Sequence, residues 1–189
     1  MFKLIFIRHG ATAGNLEKRY IGRTDEELTV ESKKSLAGHT YPAADAVFIS
    51  PMKRCRQTAE IIYPSAVYHI TDKMRECDFG RFEGKNYIDL SGDSEYQAWI
   101  DSNGTLPFPG GESSEVFKER CISAFSDITG QYINKDIILA FVVHGGTIMS
   151  ILEHYTEPQS SFYDWMTDNG NGYEVYYINN KINTVKKLW

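Results

Sequence analysis

Arg8 and His9 follow an apolar run, residues 2–7, with no transition, in the opening stretch MFKLIFIRHGAT. Three later stretches are built the same way: SPMKRCRQTA, carrying Arg54, follows apolar residues 46–49; MREC, carrying Glu76, follows 66–70; HGG, starting at His144, follows 137–143. Two arginines, two histidines and a glutamate, brought together, meet the needs of phosphoryl transfer. The transferred group carries charge on its equatorial oxygens, which the planar forks of Arg8 and Arg54 can bind, and a helix N-terminus after Gly10 or Gly145 can add backbone donors. His9 can act as nucleophile if a hydrogen bond to one ring nitrogen fixes its tautomer, forming a phosphohistidine that divides one hard step into two. His144 would donate to the same phosphate from the opposite side. Glu76 is the candidate to protonate the leaving alkoxide and then activate water, provided burial or nearby carboxylates raise its pKa. Asp78 and Glu83, close by in sequence, compete for that role.

Such a set works only if elements far apart in sequence deliver it to one place. The β-rich runs 2–7, 46–49, 66–70 and 137–143 alternate with stretches of helical spacing, such as 52–63 and 115–133, which predicts an α/β three-layer sandwich around a mostly parallel sheet. In open sheets of this kind ligands bind beyond the carboxyl ends of the parallel strands, where all four loaded stretches fall. Runs 173–178 and 182–188 flank NNK and read as a hairpin closing one sheet edge. LPFPGGES leads into a helix with Ser113 or Ser114 as its N-cap. Between Asn86 and Phe117 there is no Lys or Arg, but there are Asp89, Asp93, Glu95, Asp101, Glu112 and Glu115, with Tyr87, Tyr96, Trp99, Phe108 and Phe117 among them. This segment, 86–117, reads as a small acidic, aromatic cap inserted in a single domain spanning 1–189.

A chain of 189 residues is about one domain's worth and can bury a core without disulfides or a structural metal. The formal charge of -5 and the lack of a long basic run argue against nucleic acid or anionic membrane as partners, so a small molecule is expected. The N-terminal apolar stretch is too short for a signal peptide and 137–143 is far short of a membrane span. Cys55, Cys77 and Cys121, an odd count without CxxC or CxxH spacing, fit neither a disulfide framework nor a zinc site and suit a reducing cytoplasm.

RHGAT with Asn15 following, SPMKRCRQTA, MRECDFGRFEG, PGGES and VVHGG, in that order across nearly the whole chain, resemble the histidine phosphatase superfamily, which includes the cofactor-dependent phosphoglycerate mutases. YIGRTDEELT and ECDFGRFEG are most similar to the small phosphatases typified by α-ribazole phosphatase of cobalamin synthesis. The resemblance implies that His9 is phosphorylated, that Arg8, Arg54 and His144 bind phosphate, that Glu76 is the acid/base, and that Asn15 and Gly22 line the pocket. It implies neither a metal nor an organic cofactor. Ser32 stands where the family's helix usually has Gly, Cys55 where Ala usually follows the arginine, and Val143 where Ser or Thr commonly precedes the His-Gly. The first two read as packing variation; the third removes a hydroxyl that could steady His144.

The leading expectation is a phosphomonoesterase acting on a small phosphate monoester, α-ribazole 5'-phosphate being one candidate. The rivals are a phosphosugar mutase and a non-catalytic phosphate- or phosphoprotein-binding domain. His39, His69, His154 and Arg56 have no such motif around them and read as structural or surface residues. Cys55 and Cys77, next to Arg54 and Glu76, read as small buried residues rather than a redox switch.

Overall fold

The structure is a computed structural model and describes residues 1–158 and 160–189. Its frame is a six-stranded sheet in the order β3-β2-β4-β1-β5-β6, made of β1 (Phe2–Arg8), β2 (Ala46–Ile49), β3 (Tyr68–Ile70), β4 (Ile138–Val143), β5 (Gly172–Ile178) and β6 (Lys181–Lys187). The first four strands are mutually parallel, whereas β5 runs antiparallel to β1 and to β6. A strand buried on both faces reads as a continuous apolar run, and β1 shows why. Phe2, Leu4 and Phe6 face one core with Leu139, Phe141 and Val143, while Ile5 and Ile7 face a second with Ala140 and Val142. The first core is closed by α5 (Ser114–Gly130), through Phe125 and Ile128, and by α6 (Gly145–Tyr155), through Ile148, Ile151 and Leu152. The second is closed by α3 (Lys53–Ile62), through Cys55 and Ala59, with α2 (Val30–Gly38) packed beside it. The three layers are therefore helices, sheet, helices, as the sequence predicts.

Boundaries differ in small ways that have local causes. The hairpin turns on Asn179 and Asn180, at φ 51° and 60°, two successive left-handed residues as a tight two-residue turn requires, so Lys181 already belongs to β6. Ser113 is the N-cap of α5, its hydroxyl accepting the Val116 amide at 3.2 Å, and the helix closes at Gly130 rather than continuing to 133. At the sheet's edge β3 keeps only three residues. Residues 86–117 hold one whole helix, α4 (Ser94–Asp101), capped by the Asp93 carboxylate, and the first turn of α5; Phe82, Leu90, Phe108 and Phe117 form a third core there against Cys77 and Cys121.

Strand register sets the height of the site. Arg8 is paired with Val143, and Ile49 with Val142, so the residues just past these strands, His9, Ser50 and His144, emerge side by side at one end of the sheet.

Candidate active site

His9 leaves β1 with its amide donating to the Val143 carbonyl at 3.0 Å and its ring 5.1 Å from that of His144, edge to face. Its Nδ1 lies 2.7 Å from the Gly10 carbonyl oxygen, which can only accept, so Nδ1 carries the proton and Nε2 the free lone pair. Burial, and then the charges of Arg54 and Arg8, lower its pKa well below the usual imidazole value, which keeps the ring neutral. Gly10 is required by close approach: a Cβ there would stand 2.4 Å from Ser32 Oγ and 2.8 Å from Leu36 Cδ1. Ser32 is more than packing variation, since its hydroxyl accepts the Ala11 amide at 2.7 Å and so pins the turn after His9.

Arg54, wholly buried at the start of α3, is oriented by three carbonyls of one loop: Thr24 at 2.8 Å, Gly22 at 2.8 Å and Ile21 at 3.3 Å. Its Nε points at His144 Nδ1 from 3.4 Å. The other ring nitrogen of His144 lies 2.7 Å from Ser50 Oγ, both groups fully buried. The hydroxyl expected to be lost with Val143 is thus supplied from the end of β2. A guanidinium nitrogen can only donate, so Nδ1 accepts from Arg54, and Nε2 carries the proton and donates to Ser50 Oγ, which takes up the donor expected to reach the phosphate. Burial first, then Arg54, His9 and Arg8, hold the His144 pKa well below its usual value. Arg8 anchors one guanidinium nitrogen on the Thr167 carbonyl at 2.7 Å, while its buried Nε has no partner among the described residues.

Glu76 reaches the N-terminus of α6, where its carboxylate accepts the Gly146 amide at 3.3 Å and, from its own segment, the Cys77 amide at 3.1 Å. Burial raises its pKa and outweighs those two amides and the nearby Arg54 and Arg8, all of which lower it. A Cβ at position 146 would stand 2.5 Å from Glu76 Oε1, so the second glycine of HGG makes room for the acid. The two rival carboxylates are committed elsewhere. Glu83 accepts the amides of Gly22 at 2.8 Å and Thr24 at 2.9 Å, and Asp78 accepts the Gly80 amide at 2.9 Å and faces Arg23 at 3.5 Å.

A cavity of about 470 Å³ opens from this cluster, lined at one end by Arg8, Glu76, Gly145 and Gly146. His9, Arg54 and His144 are almost wholly buried next to those residues and are not in its lining. Asn15 and Gly22, expected to line the pocket, support it instead. Asn15 closes the capping box of the short helix α1 (Ala13–Leu16), and its side-chain oxygen also accepts from Asn169 at 3.3 Å. Gly22 packs so closely that a Cβ would stand 1.9 Å from the Cys77 carbonyl.

The expected acidic cap is corrected more strongly. None of its six carboxylates lines the cavity. Asp89 pairs with Arg19 at 2.5 Å, Glu95 with Arg81, and Glu112 with Arg120 at 2.7 Å; Asp93 caps α4 and Asp101 accepts from Gln97. Tyr87 is exposed, Tyr96 is outside the lining, and the walls are Tyr20, Phe79, Trp99, Phe108, Phe117 and Phe162. Sequence reasoning missed Ser50, Thr167 and Asn169, whose side-chain nitrogen donates to the His9 carbonyl at 3.0 Å. Ser50 was within reach of it, being the residue that follows β2 ahead of Pro51; Thr167 and Asn169 sit in an irregular segment with no periodicity to mark them. The Cys55 thiol is fully buried and pushed up to about 12 by that burial, so it is not poised for redox chemistry. His39, His69, His154 and Arg56 are exposed and apart from the cluster.

Comparison with known proteins agrees with this geometry. The chain is 29% identical over 166 residues to the broad-specificity phosphatase YOR283W of Saccharomyces cerevisiae, covering 81% of this chain and 70% of that one. It is 28% identical over 169 residues to phosphoglycerate mutase-like protein 4 of Arabidopsis thaliana, covering 80% and 70%. In fold it is similar to the crystal structure of a putative alpha-ribazole-5'-P phosphatase from Escherichia coli, with a TM-score of 0.86, 21% identity, and 99% and 95% of the two chains covered. The pattern of the histidine phosphatase superfamily (branch 1) matches residues 4–188, from the first core strand to the last, and the chain belongs to that family.

Proposed function

We propose that the protein is a phosphomonoesterase that works through a phosphohistidine at His9. The observation that carries this reading is the ring of His9, neutral and with Nδ1 tied to the Gly10 carbonyl, so that Nε2 is the nucleophilic atom, beside two arginines and a second histidine. In the first step Nε2 attacks phosphorus, the P–O bond to the alcohol breaks, and the protonated Glu76 carboxyl gives its proton to the departing oxygen. In the second, the Glu76 carboxylate takes a proton from water as the hydroxide attacks phosphorus. The N–P bond breaks and inorganic phosphate leaves, with His9 and Glu76 restored. Arg8, Arg54 and the N-terminus of α6 stabilise charge on the equatorial oxygens throughout, and His144 helps to hold the Arg54 guanidinium in place.

The reaction on this reading needs no metal or organic cofactor, and its substrate is a small-molecule phosphate monoester rather than nucleic acid or a membrane lipid surface. The aromatic walls favour a ring-bearing alcohol, of which α-ribazole 5'-phosphate is an example, and the three buried free thiols suit a cytoplasmic setting. A mutase must hold a second anion in the cavity, and apart from Arg8 the cation in its lining, Lys118, is already paired with Glu153. A binding domain that does not turn over has no use for a carboxyl whose pKa is raised by burial at the mouth of the helix. Purified protein is expected to hydrolyse a panel of phosphate monoesters at rates unchanged by exhaustive treatment with EDTA. Loss of activity that Mg²⁺ or Zn²⁺ restores would overturn the metal-free reading.

A further inference from the structure

The base-free stretch ends one residue before Lys118, whose side chain enters the cavity lining from α5. Its ammonium is held by Glu153 of α6 at 2.5 Å and lies over the ring of Phe162, 4.5 Å from the centroid. Glu153 is not in the lining. Apart from Arg8 and Glu76, the cavity therefore meets aromatic rings, Met149, Met166, a few neutral polar side chains such as Asn103, Thr105 and Ser114, and one cation whose charge is matched from behind. Arg19, Arg23 and Arg120, outside the lining, are turned to Asp89, Asp78 and Glu112. The rings of Tyr20, Phe79, Trp99 and Phe108 pack against one another at centroid distances of 5.0–6.3 Å. The buried polar atoms without partners on these walls, Trp99 Nε1 and Thr167 Oγ1, are neutral.

We infer that the Lys118–Glu153 pair is a specificity determinant: by keeping the cavity wall apart from Arg8 and Glu76 electrically neutral, it selects phosphate esters of flat, uncharged, ring-bearing alcohols over those with a second anion. The inference rests on the phosphatase reading for its chemistry but concerns the charge the cavity tolerates. An anionic leaving group would have to displace Glu153 from Lys118 or sit unpaired against aromatic rings, and either is costly in a site of low dielectric. Removing the Glu153 charge would turn Lys118 into an open anion site on a wall that is otherwise unchanged.

The test uses two isosteric ligands that cannot be hydrolysed, benzylphosphonate and 4-carboxybenzylphosphonate, titrated calorimetrically into wild type, E153Q and the double variant K118Q/E153Q. Wild type is expected to bind the neutral ligand at least about tenfold more tightly; E153Q to shift the ratio of the two Kd values toward the carboxylate by about tenfold, near 1.4 kcal/mol; and the double variant to return the ratio to the wild-type side. A ratio that does not move in E153Q, or that stays shifted in the double variant, overturns the inference. Hydrolysis of phenyl phosphate by the wild type is measured in parallel. Failure there with the Kd ratios behaving as stated would remove the phosphatase reading and leave the charge filter standing.

Discussion

At the scale of single residues, the site depends on opposite displacements of two pKa values. His9 is held below the ordinary imidazole value and Glu76 above the ordinary carboxyl value, both by burial first. On the proposed mechanism the nucleophile must be deprotonated and the acid protonated, so kcat/KM is expected to fall at low pH as His9 takes up a proton and at high pH as Glu76 loses one. The bell should have its acid limb below about pH 6.5 and its alkaline limb above the ordinary carboxyl value, once titration of the substrate phosphate is allowed for. Glu76→Gln should remove the alkaline limb and slow alkyl phosphates by about 10²–10⁴-fold, while aryl phosphates with acidic leaving groups, which depart without a proton, lose far less. Steady-state profiles on both substrate types check this; equal losses on the two would take the general-acid role from Glu76. These chemical residues were legible because each type has few uses at a strand end. What was not legible was which neighbour steadies them. Ser50 came to His144 from β2 and not from the position before it, and Asn15 turned its oxygen to a capping box and Asn169 rather than to the pocket. Hydrogen-bond partners across 94 or 154 residues of chain leave no local pattern to read.

At the scale of elements, the loop 21–24 is the part that makes Arg54 usable. Its carbonyls orient the guanidinium, its amides are tied to Glu83, and it can lie that close only because Gly22 has no Cβ to strike the Cys77 carbonyl. Gly22→Ala is expected to cost about 1–3 kcal/mol in stability through forced overpacking. It should also lower kcat/KM, because the carbonyls would be pushed from Arg54. Denaturant melts and kinetics on the same protein measure both. An alanine variant with wild-type stability and turnover would mean the loop accommodates the methyl and does not position Arg54. The core strands were readable from their apolar runs, since burial on both faces leaves little but aliphatic and aromatic residues in them. The cap was misread for a physical reason. A run rich in carboxylates with no base looks acidic in one dimension, yet Arg19, Arg81 and Arg120 reach in from outside it, and its carboxylates stay out of the cavity lining while Trp99, Phe108 and Phe117 enter it.

At the scale of the whole molecule, two buried neutral histidines make folding stability depend on pH. Both have folded-state pKa values below the unfolded one, so the unfolded chain binds more protons as pH falls through about 6.5, and stability present above that pH is lost on acidification. Glu76, raised in the folded state, acts with the opposite sign, its contribution being lost as pH rises through its folded value, and it offsets part of the histidine effect at low pH. The melting temperature is expected to drop on going from pH 7.5 to about pH 5.5, and less so in a His9→Ala protein. A drop just as large in that variant would place the acid sensitivity elsewhere. The claim on which the proposed reaction depends is the covalent intermediate. Wild-type protein mixed rapidly with phenyl phosphate, quenched in base and weighed intact should carry one phosphoryl group per chain, acid-labile and base-stable, mapping to the peptide that contains His9, and His9→Ala should carry none and turn over no substrate. Turnover by His9→Ala, or a wild-type phosphoryl group on any other residue, would contradict the account.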